Sequence, residues 1–475
     1  MKQSWLKAFV LLISISSITF VQSFAQNDTI IDTSYQVYDF DFTGGGARAE
    51  GMGKAFLGIS DDINGGSWNP AGIFEFDSPT MGISWVSLLP RGTSNATFWS
   101  NPLKSDNHGS FNTINSFNFV APVRIKGHPF VGSFNYVQDF NAFQQFQLMG
   151  SDSVPRFMFI NFNNRIDTTF RDTLLEEVQA NYQLDGDLHS LNFAIGTRLY
   201  NKISFGVSGN VYTGTALWQA NNKLLEYDSP FDLIGRQRGL AEEDSTVIDT
   251  NKFSGFNATI GFKYNGEKLD AGLIVKTPFT LNENYVRSIY RITKFNGLVQ
   301  SQQTDTIFYI DNLTKYEIPL IIGAGIGYHL RDNFLLAADA EYRKFSGEKV
   351  KIRTKITIDP SGSNQETFLE LDPHWNDVFT FRLGSEYMWK TKYGEIPLRT
   401  GFGFVPLPAP DISASGDTTT AVRYNFSAGT GIHWSQIYLD IAYTYSYLDQ
   451  GLGRGMNLEY KQRNHNINLS FTGVF

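Results

Sequence analysis

Apolar and polar residues alternate with a period of two along most of this chain. In 256–264, Phe256, Ala258, Ile260, Phe262 and Tyr264 share one face, and Asn257, Thr259, Gly261 and Lys263 share the other. In 322–328, Ile322, Ala324, Ile326 and Tyr328 oppose Gly323, Gly325 and Gly327. In 379–387, Phe379, Phe381, Leu383 and Tyr387 oppose Thr380, Arg382, Gly384 and Glu386. The segments 336–343, 424–433 and 438–447 repeat the pattern, and the chain stops on a last such run, with Ile467, Leu469, Phe471 and Phe475 on its apolar positions. A period of two is a strand with one greasy face. About ten alternating residues is what a tilted strand needs to cross a bilayer. The other face is polar, charged or glycine throughout. A soluble sandwich would bury its apolar face on a core and leave the charges in water. The number of consecutive strands and the aromatic last residue favour a membrane barrel, whose final strand must pair with its first. The pattern predicts an all-β chain: a transmembrane antiparallel β-barrel of about 14 strands, on the rule that such barrels have even counts.

Long stretches rich in Asp, Asn, Thr and Gln separate several strands, at 150–182, 219–252, 280–316 and 359–376. In a barrel these read as extracellular loops. Short connections such as Asn201-Lys202 and Asn265-Gly266-Glu267 read as periplasmic turns. The loops carry many aromatics, among them Phe140, Phe143, Phe146, Phe157 and Phe159, as plausible ligand contacts. At the N-terminus, Lys2 and Lys7 precede an apolar run from Ala8 to Phe20, and Ser23-Phe24-Ala25 offers small residues to a signal peptidase. Residues 1–25 therefore read as a secretory signal peptide cleaved before Gln26. The run is too short for a membrane-spanning helix.

Composition changes this picture little. The mean hydropathy of −0.23 looks soluble, but only alternate residues of a barrel face lipid. Aromatics at 15% and 43 glycines suit lipid-interface girdles and close backbone packing. The absence of Cys removes disulfides, thiolate metal sites and a lipid-modified cysteine. A formal charge of −8 argues against nucleic acid as a partner.

Residues 39–76 are different: Gly-rich, compact and poor in alternation. The run from Phe42 to Phe56 contains Gly44-Gly45-Gly46, Gly51 and Gly53, and leads to Asp61-Asp62 and then Trp68-Asn69-Pro70-Ala71-Gly72. This resembles the N-terminal hatch of the FadL/TodX family, outer-membrane transporters of long-chain fatty acids and other hydrophobic compounds. Later segments resemble the same family in the same order. They are Gly272 to Pro278; Pro319, Gly323, Tyr328, Asp332-Asn333 and Ala337-Ala338-Asp339; Leu398 to Phe402 with Pro406, Pro408 and Pro410-Asp411; and Gly429-Thr430-Gly431 with Leu439 to Tyr445. Phe345 and Phe402 stand where the family commonly has Trp and Tyr, and the stretches between 150 and 316 match nothing in it. The resemblance covers 42–475. It implies a signal peptide (1–25), an N-terminal extension and hatch (26–77) and the barrel (78–475).

The residues themselves agree with a hatch. Glycines let a chain turn in a narrow space. Pro70 fixes its own φ and pushes Asn69 toward extended or turn geometry, where its amide can bridge backbone groups out of reach of water. Asp61, Asp62, Asn69, Pro70 and Ala71 are the candidate hatch anchors. Asp339, Arg382, Glu386, Arg399 and Asp440 are the lumen-facing candidates, with Glu341 and Arg343 beside them. Such charges pair wall to wall or wall to hatch, and an Arg among them could hold a carboxylate head group.

Enzyme readings find no support. There is no G-x-S-x-G and no H-E-x-x-H. The seven His residues show no ligand spacing, so neither a metal nor another cofactor is expected. The run Gly323 to Gly327 lies in a strand without a following helix and is close packing rather than a nucleotide loop. A lone Asp61-Asp62 pair is a turn or hatch anchor more often than a calcium site. The expectation is an outer-membrane protein, in contact with membrane lipid, that passes hydrophobic small molecules inward and is gated by its hatch. The alternatives are a barrel platform with a secretion or surface-attachment partner, an aqueous porin, and a lipid-processing enzyme.

Overall fold

The computed structural model describes residues 42–98, 101–141, 144–162, 165–227, 240–295, 298–358, 364–412, 418–451 and 457–475. The signal-peptide segment lies outside the described residues. So do Phe143 and the side chains of Phe140, Phe146, Phe157 and Phe159.

The N-terminal segment holds two short helices, α1 (Ala47–Gly51) and α2 (Gly65–Trp68), and a 3-10 turn at Gly72–Glu75. The strands follow. The first ten are β1 (Thr80–Phe98), β2 (Asn101–His108), β3 (Phe111–Ile125), β4 (His128–Asn141), β5 (Gln144–Phe162), β6 (Arg165–Tyr200), β7 (Ile203–Tyr227), β8 (Leu240–Asn265), β9 (Leu269–Lys276) and β10 (Phe279–Phe295). The second ten are β11 (Leu298–Ile318), β12 (Ile321–Arg331), β13 (Phe334–Arg343), β14 (Val350–Ile358), β15 (Asn364–Leu371), β16 (Val378–Thr391), β17 (Gly394–Ile412), β18 (Thr418–Trp434), β19 (Ile437–Gly451) and β20 (Asn457–Val474).

Fourteen of these close the wall, each antiparallel to its neighbours: β1, β3, β4, β6, β7, β8, β9, β12, β13, β16, β17, β18, β19 and β20. The ring shuts where β20 pairs with β1, from Thr80 opposite Val474 upward. The last amide, that of Phe475, donates to the Pro79 carbonyl at 2.9 Å. The terminal run of alternating residues is thus the closing strand, and no edge is left in the bilayer.

The faces divide as the alternation requires. Ile326, Phe381, Phe426, Ile441 and Phe471 are exposed on the outside, while Asp339, Thr380, Arg382 and Asn468 are buried inside. One end of the barrel has tight turns. Lys126 and Gly127 both have positive φ, 51° and 86°, the conformation that matches a two-residue turn to the strand twist. Tyr200, Tyr393, Trp434 and Phe475 stand exposed beside the turns or the chain end there. They form an aromatic girdle at one interface, with an apolar band above it. This is a multi-pass barrel of the outer-membrane type.

At the opposite end, the polar stretches expected as loops are largely strand. β6 has 36 residues, on the order of 120 Å at about 3.3 Å per residue and several times what a bilayer needs. β5, β6, β7, β8, β10 and β11 pair in sequence into one tall sheet outside the membrane band. These stretches are rich in Asp, Asn, Thr and Gln, so no period of two marks them as strands in the sequence. Two wall strands also bend. Thr277-Pro278 separates β9 from β10, and Pro319-Leu320 separates β11 from β12, as a residue without an amide N–H dictates.

Candidate functional site

The segment from Phe42 to Glu75 lies inside the barrel. It has its own small core, in which Phe56 meets Trp68 edge to face at 5.9 Å. The Trp68 indole N–H donates to the Gly45 carbonyl at 3.0 Å. Gly53 has a φ of 65°, and a methyl there would strike the wall backbone at Gly401 and Phe402. The chain therefore lies directly on the wall, backbone against backbone, at a level where Gly384 and Gly401 leave room for it.

Asn69 is fully buried and extended, with φ −142° and ψ 107°, the geometry that Pro70 imposes on it. Its side-chain N–H groups donate to the Leu57 carbonyl at 3.2 Å and the Phe262 carbonyl at 3.1 Å. Its oxygen accepts from the Ala71 amide at 3.1 Å. One amide thus ties two turns of the hatch to strand β8. Pro70 and Ala71 lie against the wall at Gly206.

The acidic pair divides. Asp61 accepts from Arg48 at 2.5 Å. Asp62 accepts from the Asn64 amide at 2.8 Å, and burial pushes its carboxyl up to about 6. Among the described residues no group of three or more His and acidic side chains is placed to hold a metal.

All five lumen candidates face inward, and the hatch and one another take up their charges. Asp339 accepts from the Phe56 and Leu57 amides at 2.6 and 2.7 Å. Arg382 stands opposite it across the ladder and 4.0 Å from Glu341. Glu386 receives a bidentate pair from Arg48, at 3.0 and 2.8 Å, and a third bond from Arg399 at 2.5 Å. Arg399 continues to Asp440 at 2.5 Å, and Asp440 meets the His433 ring at 3.0 Å. The chain Asp61–Arg48–Glu386–Arg399–Asp440 alternates in sign from hatch to wall. Buried charges survive only when paired in this way.

On the other half of the wall a row of asparagines takes part in the anchoring. Asn135, Asn192, Asn210 and Asn257 sit directly opposite one another on β4, β6, β7 and β8. Each amide donates to the next oxygen, at 2.7, 2.5 and 2.6 Å. Asn118 on β3 donates to Asn64 of the hatch at 2.8 Å. Two buried lysines complete the anchoring. Lys263 donates to the Ile59 carbonyl and to Glu75, and Lys276 donates to the Phe42 carbonyl at 2.5 Å. Sequence reasoning missed this asparagine row, both lysines and Arg48. The signal was there as Asn or Lys on the inward parity of successive strands, but only the register aligns them.

Above the hatch the lumen turns apolar. Leu184, Leu188, Tyr212, Trp218, Phe253, Leu281, Tyr316, Ile318, Phe345, Ile352, Trp375 and Val378 form one buried cluster with Phe42 at the hatch end. Phe345 meets Trp375 edge to face at 5.6 Å. These positions face inward, where the lower wall is polar. Trp218 shows this on β7: it is buried while its neighbour Leu217 points out, and Leu281, Tyr316 and Trp375 lie in stretches that composition marks as loop.

Known structures share this architecture. A Pseudomonas aeruginosa FadL homologue matches with a TM-score of 0.59 at 12% identity, over 92% of this chain and 99% of that one. A Pseudomonas putida toluene transporter, TodX, matches with a TM-score of 0.52 at 14% identity over the same shares of the two chains. The Ralstonia pickettii toluene transporter TbuX gives 0.50 at 14% identity, again over 92% and 99%. The fold is therefore that of the FadL-type outer-membrane barrels. A family model described as BamG matches residues 160–392. No curated protein matches the chain.

Proposed function

We propose that this barrel passes small hydrophobic molecules across the outer membrane, down their gradient, with the N-terminal segment as its gate. The observation that carries the reading is the apolar cluster inside the lumen. A water-filled pore has no use for a buried Trp, Leu and Phe lining, whereas an apolar solute gains about 25 cal/mol for each Å² it withdraws from water there. The solute enters among the extracellular strands, partitions into the chamber and stops at the hatch. Asn69, Asp339, Glu386 and Lys263 hold the hatch shut through separate hydrogen-bonded contacts, and release needs a subset of them to open. That the structural neighbours include toluene transporters favours aromatic hydrocarbons as cargo, with long-chain fatty acids as the other class to test. The test is uptake by cells with and without the protein. Entry of such compounds should depend on it, and entry of small sugars should not.

A second reading is a platform for an outer-membrane partner. The tall sheet from β5 to β11 favours it, since a channel needs no strands of this length. The BamG match, residues 160–392, includes β6 to β11 and runs on through the wall strands to β16. A partner retained through mild-detergent purification, and lost when the β6–β7 hairpin is shortened, would favour the platform over transport.

A further inference from the structure

Arg91 on β1 and Arg463 on β20 stand directly opposite one another, across the ladder that shuts the ring. Both are exposed and on the outward parity of their strands. The same rung continues to Tyr447 on β19 and Tyr424 on β18, and on the other side to His108 on β2. Its height follows from the register. Arg91 lies eleven residues above Thr80, or about 28 Å at 3.3 Å per residue and a 40° tilt. That is the upper rim of an apolar band about 25 Å tall. Below the rung the outer face is apolar, with Ile83 and Trp85 on β1, Leu469 and Phe471 on β20, and Ile441 on β19. Tyr443 and His465 lie between the two levels, joined by a hydrogen bond of 2.7 Å from hydroxyl to Nδ1. Like charges directly opposite on a ladder destabilise it, since their Cβ atoms are about 4.5–5.5 Å apart. No carboxylate relieves this pair. Asp449, on the next outward rung, is 3.5 Å from Lys461 and accepts from the Tyr447 hydroxyl at 3.2 Å. Among the described residues neither Arg91 nor Arg463 has an ion-pair partner.

We propose that Arg91 and Arg463 form a phosphate site for a lipid of the outer leaflet, and that the bound phosphate clasps the seam between the first and last strands. One phosphate accepting from both guanidinium groups turns their repulsion into two charge-assisted contacts, in the forked geometry that suits a phosphate. The charges select the class of lipid. A phosphate monoester carries about −1.5 to −2 at pH 7, which matches two guanidinium groups. The diester of a zwitterionic phospholipid carries a single negative charge and brings its own cation. The occupant is therefore a glycolipid with an exposed phosphate monoester. Its acyl chains hold the phosphate at the height of the rung, so its effective concentration there far exceeds that of a dissolved anion. Tyr443, Tyr445 and Tyr447 supply phenols at the headgroup level beside it. The site lies on the outside of the wall and is independent of what the barrel transports.

The purified barrel in detergent, its folding checked by heat-shifted gel mobility, is titrated with three probes: diphosphoryl lipid A, the same glycolipid stripped of its phosphates, and inorganic phosphate. Native mass spectrometry counts the bound molecules. Lipid A should bind, and the stripped lipid should not. Arg91→Gln and Arg463→Gln should each weaken lipid A about tenfold. Lys392→Gln, an exposed charge at the turn-bearing end, should leave its affinity unchanged. The temperature at which the gel shift is lost gives a second readout. Without lipid, Arg463→Gln relieves the repulsion across the seam and should raise that temperature above wild type. With lipid A the order should reverse. Equal binding of lipid A to the Arg91→Gln/Arg463→Gln double variant overturns the proposal, and so does equal binding of the stripped lipid. Inorganic phosphate binding as tightly as lipid A overturns the lipid as occupant and makes the rung a site for a dissolved anion. No lipid A on the folded wild-type barrel overturns the site altogether. A wild-type transition unmoved by bound lipid A overturns the clasp.

Discussion

Asn69 shows most plainly how one side chain can pin the N-terminal segment to the wall. Its three hydrogen bonds reach Leu57, Ala71 and Phe262, and each is worth about 0.5–1.5 kcal/mol net. Asn69→Ala should therefore loosen the hatch by a few multiples of that, and proteolysis between Gly44 and Ile73 should accelerate while the heat-shifted gel mobility of the barrel stays normal. Glu386 carries a larger load. It neutralises Arg48 and Arg399 at once, so Glu386→Ala leaves two guanidinium groups short of a partner, a loss of about 3–5 kcal/mol for a buried pair. Glu386→Gln keeps an acceptor and should cost less. Urea unfolding of the two variants would check the order. At this scale the sequence was half legible. Asn69-Pro70 could be assigned because proline constrains its predecessor locally. Arg48, Lys263 and the asparagine row could not, because what they do depends on which strand faces which.

At the scale of elements, the strand faces were legible because lipid and lumen impose opposite chemistry on adjacent residues. Phe381 is exposed and Thr380 fully buried on the same strand. Phe381→Arg should cost about 2–4 kcal/mol near the midplane, read as a drop in folded yield in vesicles, whereas Thr380→Arg should act by crowding the lumen. Phe475 directly follows β20, whose ladder with β1 shuts the ring. Deleting it removes the last amide-to-Pro79 bond and should lower the amount of barrel assembled in cells, with normal assembly contradicting its role as a closing signal. The long hairpins β5 to β11 were not legible as strands. Outside the bilayer nothing forces alternation, so a water-bathed strand and a loop have the same composition. The apolar cluster was hidden for the same reason, since Leu281, Tyr316 and Trp375 belong to it from stretches that read as polar loops.

For the whole molecule, a closed wall, a keyed hatch and an apolar cluster would together make one route for hydrophobic compounds under the proposed transport function. The hatch spends its polar groups on the wall, and the cluster above it is apolar apart from paired polar groups such as Asp249 with Arg287 and Glu283 with the Tyr316 hydroxyl. A solute can thus be held without a nucleotide site and released by a shift in hatch position biased by binding. Uptake of a radiolabelled hydrophobic compound by cells is the most direct measure of this claim. One strain carries the wild-type chain, one Asn69→Ala at equal surface level, and one no copy. The account predicts uptake of toluene or a long-chain fatty acid with the wild-type chain, an altered rate with Asn69→Ala, and background without the protein. Background uptake in all three, with a secreted or surface protein instead dependent on the barrel, would contradict transport and leave the platform in its place.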